Sequence, residues 1–185
     1  MQPRVDYKSI SPAVYRAMLA LEQCVREFHL EKNIMELIKI RASQMNGCAY
    51  CLDMHTQDAR AAGESEQRLS TLSAWRDTPF FTERERAALE WAESITRIAD
   101  THAPDDTYQR VRQYFPEREL VELTLAIVAI NGWNRLAIAF RAVPGVYRAA
   151  RASDSRGQSV AAEAGYPNHP MEQGLAQISG LTESP

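Results

Sequence analysis

No surplus of positive charge marks this chain: 21 Lys plus Arg stand against 24 Asp plus Glu, for a formal net charge of −3. Phosphate backbones are bound by clustered excess cations, so nucleic acid is not expected as the main partner. Long apolar runs are missing too. The opening residues, MQPRVDYKSI, lack the apolar segment of a signal peptide. The most apolar stretch, residues 120–130, is far below membrane-spanning length and contains Glu122. The expectation is a cytoplasmic protein with no membrane partner. Cysteine is scarce and odd in number, with only Cys24, Cys48 and Cys51. Three cysteines in a non-secreted chain do not read as a disulfide framework. No convincing polar/apolar alternation marks a strand, which leaves an all-α fold.

What is present is enough for one packed domain. The chain has 185 residues, 45% of them hydrophobic, which suits a single core and not two. Ser11 followed by Pro12 opens a helix whose apolar stripe is Val14, Met18, Leu21, Val25 and Phe28. A second helix is predicted over 31–45, stopped by Asn46-Gly47, and a third from 47 or 48 to Gly63. A short fourth covers 65–75, before the turn at Asp77-Thr78-Pro79. Thr82 with Glu85 forms a capping box for a fifth helix running to about residue 100. A sixth spans 104–114, and Pro116 opens the longest, to about residue 140. The prediction is a bundle of about seven helices over 11–145, oligomeric through its helices. Residues 120–130 are apolar nearly all round, which demands cover on most sides, by the bundle or by another subunit. The segment 150–185 holds four of the eight glycines and one aromatic among its last 35 residues, and reads as a loosely structured tail with short helical pieces.

The chemistry concentrates in Asn46-Gly47-Cys48-Ala49-Tyr50-Cys51-Leu52-Asp53-Met54-His55. At about 100° per residue, Cys48, Cys51 and His55 fall within about 60° of one another on a helix. Two thiols close enough to bridge, with a base one turn from the second, equip a dithiol–disulfide catalyst. Two other readings stand beside it. The trio Cys48, Cys51 and His55 could ligate zinc, although the chain has no second ligand pair. Structural cysteines are the remaining reading. Cys24, beside the stripe of its helix, reads as a buried packing thiol. Glu36 lies opposite the Ile34/Ile38/Met45 side and by itself reads as a solvated glutamate. Arg41 falls on the apolar side and must pair with a carboxylate or line an interface.

The spacing Glu36, eleven residues, Cys48-x-x-Cys51, three residues, His55 resembles the alkylhydroperoxidase D-like group of the carboxymuconolactone decarboxylase superfamily. The run Asn131-Gly132-Trp133-Asn134-Arg135-Leu136 resembles the group's signature on its last long helix, although Trp133, Asn134 and Arg135 read equally well as packing residues. The resemblance covers about 31–140. It implies an all-helical thiol-dependent peroxidase, assembled as a homotrimer or homohexamer. Cys51 would be the peroxidatic cysteine, Cys48 its resolving partner, and His55 with Glu36 the proton relay. The substrate would be a peroxide. No cofactor or metal would be bound, and an external dithiol, in the family a lipoyl group on a carrier protein, would restore the thiols. The sequence departs from the pattern at Tyr50, where a second histidine precedes the peroxidatic cysteine in the best characterised members. A tyrosine with an ordinary pKa of about 10 is no base near neutral pH, which implies a simpler relay. True carboxymuconolactone decarboxylases lack the cysteine pair.

Two considerations compete over the low-pKa thiol. The helix N-terminus favours Cys48, by about 0.3–1 kcal/mol at exposed sites. A histidine contact favours Cys51 and weighs more when desolvated, so Cys51 is the expected nucleophile. The alternatives from other classes are a non-enzymatic redox sensor, a general dithiol oxidoreductase and a metal-binding or decarboxylase-type enzyme.

Overall fold

A computed structural model describes residues 2–149, so the tail expected over 150–185 lies outside the described residues. The elements are α1 (Tyr7–Ile10), α2 (Pro12–Arg26), α3 (Lys32–Asn46), α4 (Ala49–Ala61), α5 (Glu66–Thr71) continued by a 3-10 turn (Leu72–Asp77), α6 (Glu83–Thr96), α7 (Ile98–Thr101), α8 (Asp105–Arg112) and α9 (Glu117–Phe140). Among the described residues there is no strand, and the fold is all-α. The seven predicted helices correspond to α2, α3, α4, α5 with its 3-10 turn, α6, α8 and α9. Two single-turn helices are additional. α1 is capped by Asp6, which accepts from the Lys8 N–H. α7 arises because the fifth predicted helix breaks at Arg97 (φ −103°, ψ 36°) instead of running on. There Thr101 Oγ1 donates to the Ser94 carbonyl at 2.8 Å, a side-chain bond that competes with the helical ladder.

The caps follow the sequence. Thr82 and Glu85 form the reciprocal capping box of α6, and Gly47 ends α3 in the left-handed region at φ 69°. Residues 120–130 are covered as expected, with only Val121 and Val128 exposed among them. α3 is enclosed as well, packing on α4, α6 and α9. It sends Ile34 and Ile38 into a cluster with α6 and α9, Leu37 and Ile40 into one with Trp75 and Phe81, and Ala42 into one with Tyr15, Cys48, Cys51 and Trp133. α9 packs on α2, α3, α4, α6 and α8, leaving Val121, Val128 and Ile138 exposed. At 24 residues and a mean hydropathy of 1.4 in its most apolar window, α9 is longer than its central apolar stretch suggested, and half of that window is buried inside the bundle.

Two expectations for α2 are corrected. Val14 is exposed, and so is Cys24, which is not a packing thiol. The buried face of α2 is Tyr15, Glu22 and Val25, because a buried glutamate paired across to α3 turns the helix away from a purely apolar contact. Arg41 takes the first of its two predicted roles, pairing with Glu93 at 2.7 Å.

Candidate active site

The turn between α3 and α4 is only two residues long. Gly47 takes the positive φ that reverses the chain, and Cys48 becomes the N-cap of α4 (φ −85°, ψ 93°). Its N–H is spent on the Ser43 carbonyl at 3.0 Å. Its sulfur stands at the start of α4, where the first-turn amides of Tyr50 and Cys51 favour negative charge on it. Cys51 stands one turn on, beside the same sulfur. Both thiols are buried and reduced.

Asn134 of α9 completes the thiol pocket. It is fully buried and stands beside both cysteines, where it favours their ionised form. Its amide orientation is fixed from behind: Asn46 donates to its Oδ1 at 2.8 Å, and its own Nδ2 donates to Ser43 Oγ at 3.0 Å. Sequence reading left Asn134 undecided between packing and site. Its hydrogen bonds brace α3 against α9, beside the thiols.

These contacts set where the resting charge sits. The Cys51 hydrogen bond, then the two backbone amides and Asn134, hold Cys48 down to about 7 against the opposing effect of burial. The same Cys51–Cys48 bond, burial and the charge on Cys48 push Cys51 well above the ordinary thiol range. The ranking inferred from sequence is therefore reversed for the resting state. The reason is geometric: Cys51 bonds to Cys48 and Asn134, while His55 gives its bond to Glu36.

Glu36 is not a solvated residue. Because α4 packs along the side of α3 opposite Ile34 and Ile38, its carboxylate is largely buried and its Oε2 lies 2.9 Å from His55 Nδ1. Burial opposes ionisation of Glu36, but the His55 bond and the charges of His55 and Lys39 hold its carboxyl below the usual range. An ionised carboxylate only accepts, so His55 carries its proton on Nδ1 and leaves Nε2 as the basic atom. The pair Cys48–Cys51 and the pair Glu36–His55 thus share one side of the α3–α4 hairpin. Tyr50 is pushed above its ordinary value by burial and by Cys51, so it stays protonated and does not replace a histidine.

A cavity of ≈ 160 Å³ opens on His55, lined by Glu22, Arg26, Lys39, Asp58 and Tyr147 among others. Sequence reading named none of these five as site residues. Asp58, three residues after His55 on α4, was findable from helical spacing; Glu22, Lys39 and Tyr147 carried no such signal. Among the described residues, Cys48, Cys51 and His55 do not converge as a three-donor set; the group whose donor atoms lie within 4.8 Å of one another is Glu36, His55 and Asp58. Lys39 stands 4.0 Å from Glu36 and 3.0 Å from Glu22, and with Arg26 it opposes a further cation there. The arrangement suits proton movement.

Comparison with known proteins agrees. Residues 12–94 match the profile of the carboxymuconolactone decarboxylase family. The chain is 47% identical over 139 residues to the uncharacterized protein YdfG of Bacillus subtilis (strain 168), covering 75% of this chain and 95% of that one. It superposes with a TM-score of 0.76 at 46% identity on ATU0492 of Agrobacterium tumefaciens, a protein of unknown function proposed to be the antioxidant defence protein AhpD; the match covers 78% and 99% of the two chains. The debrominase Bmp8 shares the fold at 21% identity and a TM-score of 0.67, over 75% and 74% of the chains, so the fold alone does not select one reaction. Sequence, fold and site geometry together place the chain in the carboxymuconolactone decarboxylase family, as an AhpD-like domain.

Proposed function

We propose that the protein is a thiol-dependent peroxidase that works through Cys48 and Cys51. The observation that carries this reading is the pair of buried thiols at the start of α4, with the buried Glu36–His55 pair beside it. In the resting site Cys48 holds the charge and Cys51 the shared proton. Passing that proton along the S–H···S bond leaves a Cys51 thiolate, which attacks the peroxide. A Cys51 S–O bond forms, the O–O bond breaks, and the alkoxide or hydroxide takes the proton that Cys48 released on ionising, carried to it by way of His55 Nε2. Cys48, protonated by the transfer from Cys51, then gives that proton up as it attacks the Cys51 sulfenic acid: the S–S bond forms, the S–O bond breaks, and the hydroxide leaves with the proton as water. Two thiols and one peroxide thus become a disulfide, an alcohol or water, and one water. An external dithiol, such as a lipoyl group, reverses the disulfide by exchange. No bound cofactor or metal enters any step.

The test is peroxide consumption with dihydrolipoamide as reductant. Sustained turnover supports the reading. Oxidation of the pair once, without turnover, identifies a redox sensor, and no oxidation overturns both.

Assembly is a second part of the proposal. Val121, 70% exposed, and Val128, 47% exposed, lie two turns apart on the uncovered side of α9, and a second copy of the chain would cover them. The expected state is a homotrimer or homohexamer. Val128→Glu should then yield a smaller species by light scattering, with helical circular dichroism unchanged. A wild-type monomer at micromolar concentration would reject the assembly.

A further inference from the structure

Two carboxylates approach the one imidazole, and only one of them holds it. Donor atoms of Glu36, His55 and Asp58 lie within 4.8 Å of one another, yet the 2.9 Å bond runs from His55 Nδ1 to Glu36. Among the described residues, the side chain of Asp58 bonds to Tyr147, whose hydroxyl donates to Asp58 Oδ1 at 2.5 Å. Tyr147 comes from outside the bundle. After α9 ends at Arg141, the chain folds back over α4, turns at Gly145 (φ 87°), and is pinned where the Gly145 N–H donates to Asp53 Oδ2 at 2.7 Å. That turn delivers Tyr147, buried, onto the wall of the cavity at His55.

We propose that Tyr147 is a positioning residue that keeps Asp58 off His55, so that Glu36 alone orients the imidazole. A carboxylate one helical turn from a histidine is a natural partner for it, and a second partner would draw the ring from the alignment that serves the thiols. The phenol occupies the Asp58 oxygen that would otherwise compete. Burial drives Asp58 toward its neutral form, the Tyr147 bond opposes this, and the charge on Glu36 adds to the upward push. The other charged groups facing the imidazole are Glu22 and Arg26 of α2 and Lys39 of α3. All three remain in place when Tyr147 changes.

The inference rests on the proposed thiol chemistry only for its purpose, and its test needs no peroxide. In Tyr147→Phe, Asp58 is released toward His55. The low-field Nδ1–H resonance of the histidine bonded to Glu36 should shift. Adding Asp58→Asn to Tyr147→Phe should restore it, because the amide does not compete as an ion. Restoration supports the proposal. Either an unmoved resonance in Tyr147→Phe, or a double variant whose resonance stays shifted, overturns it, the latter by assigning Tyr147 a packing role. If the protein proves not to reduce peroxides, this reading still stands or falls on its own.

Discussion

Cys51→Ser is expected to abolish peroxide turnover, and Cys48→Ser to permit one oxidation and then stop. The two losses look alike in a steady-state assay but differ in what accumulates. Without Cys51 no sulfur forms the bond to peroxide oxygen, and the Cys48 thiolate left on the helix terminus reacts slowly. Without Cys48 the sulfenic acid at Cys51 has no resolving partner, so a dimedone-type reagent should label Cys51 stoichiometrically. Cys48→Ser also removes the thiolate that accepts the Cys51 proton, so this single oxidation should be slower than the first turnover of the wild type. Cys24, exposed on α2, should stay out of the disulfide when the oxidised protein is mapped by mass. Label at Cys48 in Cys51→Ser, with none at Cys51 in Cys48→Ser, would reverse the roles and make the resting thiolate the attacking one.

The largest effect on stability is expected at Glu22. It pairs with Lys39 at 3.0 Å, with both side chains 9% exposed, and accepts from Trp133 Nε1 at 3.3 Å. Burial alone would raise its carboxyl, but the charge and hydrogen bond of Lys39 outweigh this and hold it below the usual range. Glu22→Leu strands a buried ammonium, a change that costs about 3–5 kcal/mol when nothing replaces the partner. Glu36, 4.0 Å from Lys39, offers partial relief, so the low end is expected. For a chain of this size that is a fall of roughly 6–12 °C in Tm. Adding Lys39→Met should recover most of the loss, since an apolar pair of similar volume fills the same space without desolvated charge. The sign with pH follows from the direction of the shift. A carboxyl held lower in the folded state contributes stability above its unfolded value of ~4.3 and loses it as the pH falls through the folded value. Wild type and double variant should therefore converge in stability under acid conditions. A Glu22→Leu protein as stable as wild type at neutral pH would show that the ion pair contributes nothing.

The sequence was informative where periodicity and caps act locally. Ser11-Pro12, Asn46-Gly47 and Thr82 with Glu85 place helix ends that the structure keeps. It was less informative where the decision depends on what lies opposite. Glu36 looks solvated on an isolated α3, and only the packing of α4 along that side buries it against His55. Glu22 looks like surface on α2 until Lys39 crosses from α3 to meet it. Tyr147 lies beyond the last helix, in a segment with no period at all, and reaches the site only because the chain turns back at Gly145. The Cys-x-x-Cys spacing located the thiols but not their charge. That depends on Cys48 being the cap itself, a distinction of one residue that helix boundaries read from sequence do not resolve.

A sulfur that caps a helix ties redox state to mechanical state. In the reduced protein the charge on Cys48, the N-cap residue, is favoured by the Tyr50 and Cys51 amides of the first turn. A disulfide sulfur carries no charge and accepts poorly, so closing the bond withdraws the cap at the same moment that it cross-links the turn. The beginning of α4 should then fray on oxidation: amide exchange at Tyr50 and Cys51 should speed up while the rest of α4 keeps its protection. A reducing partner would meet a loosened turn around the bond it must open.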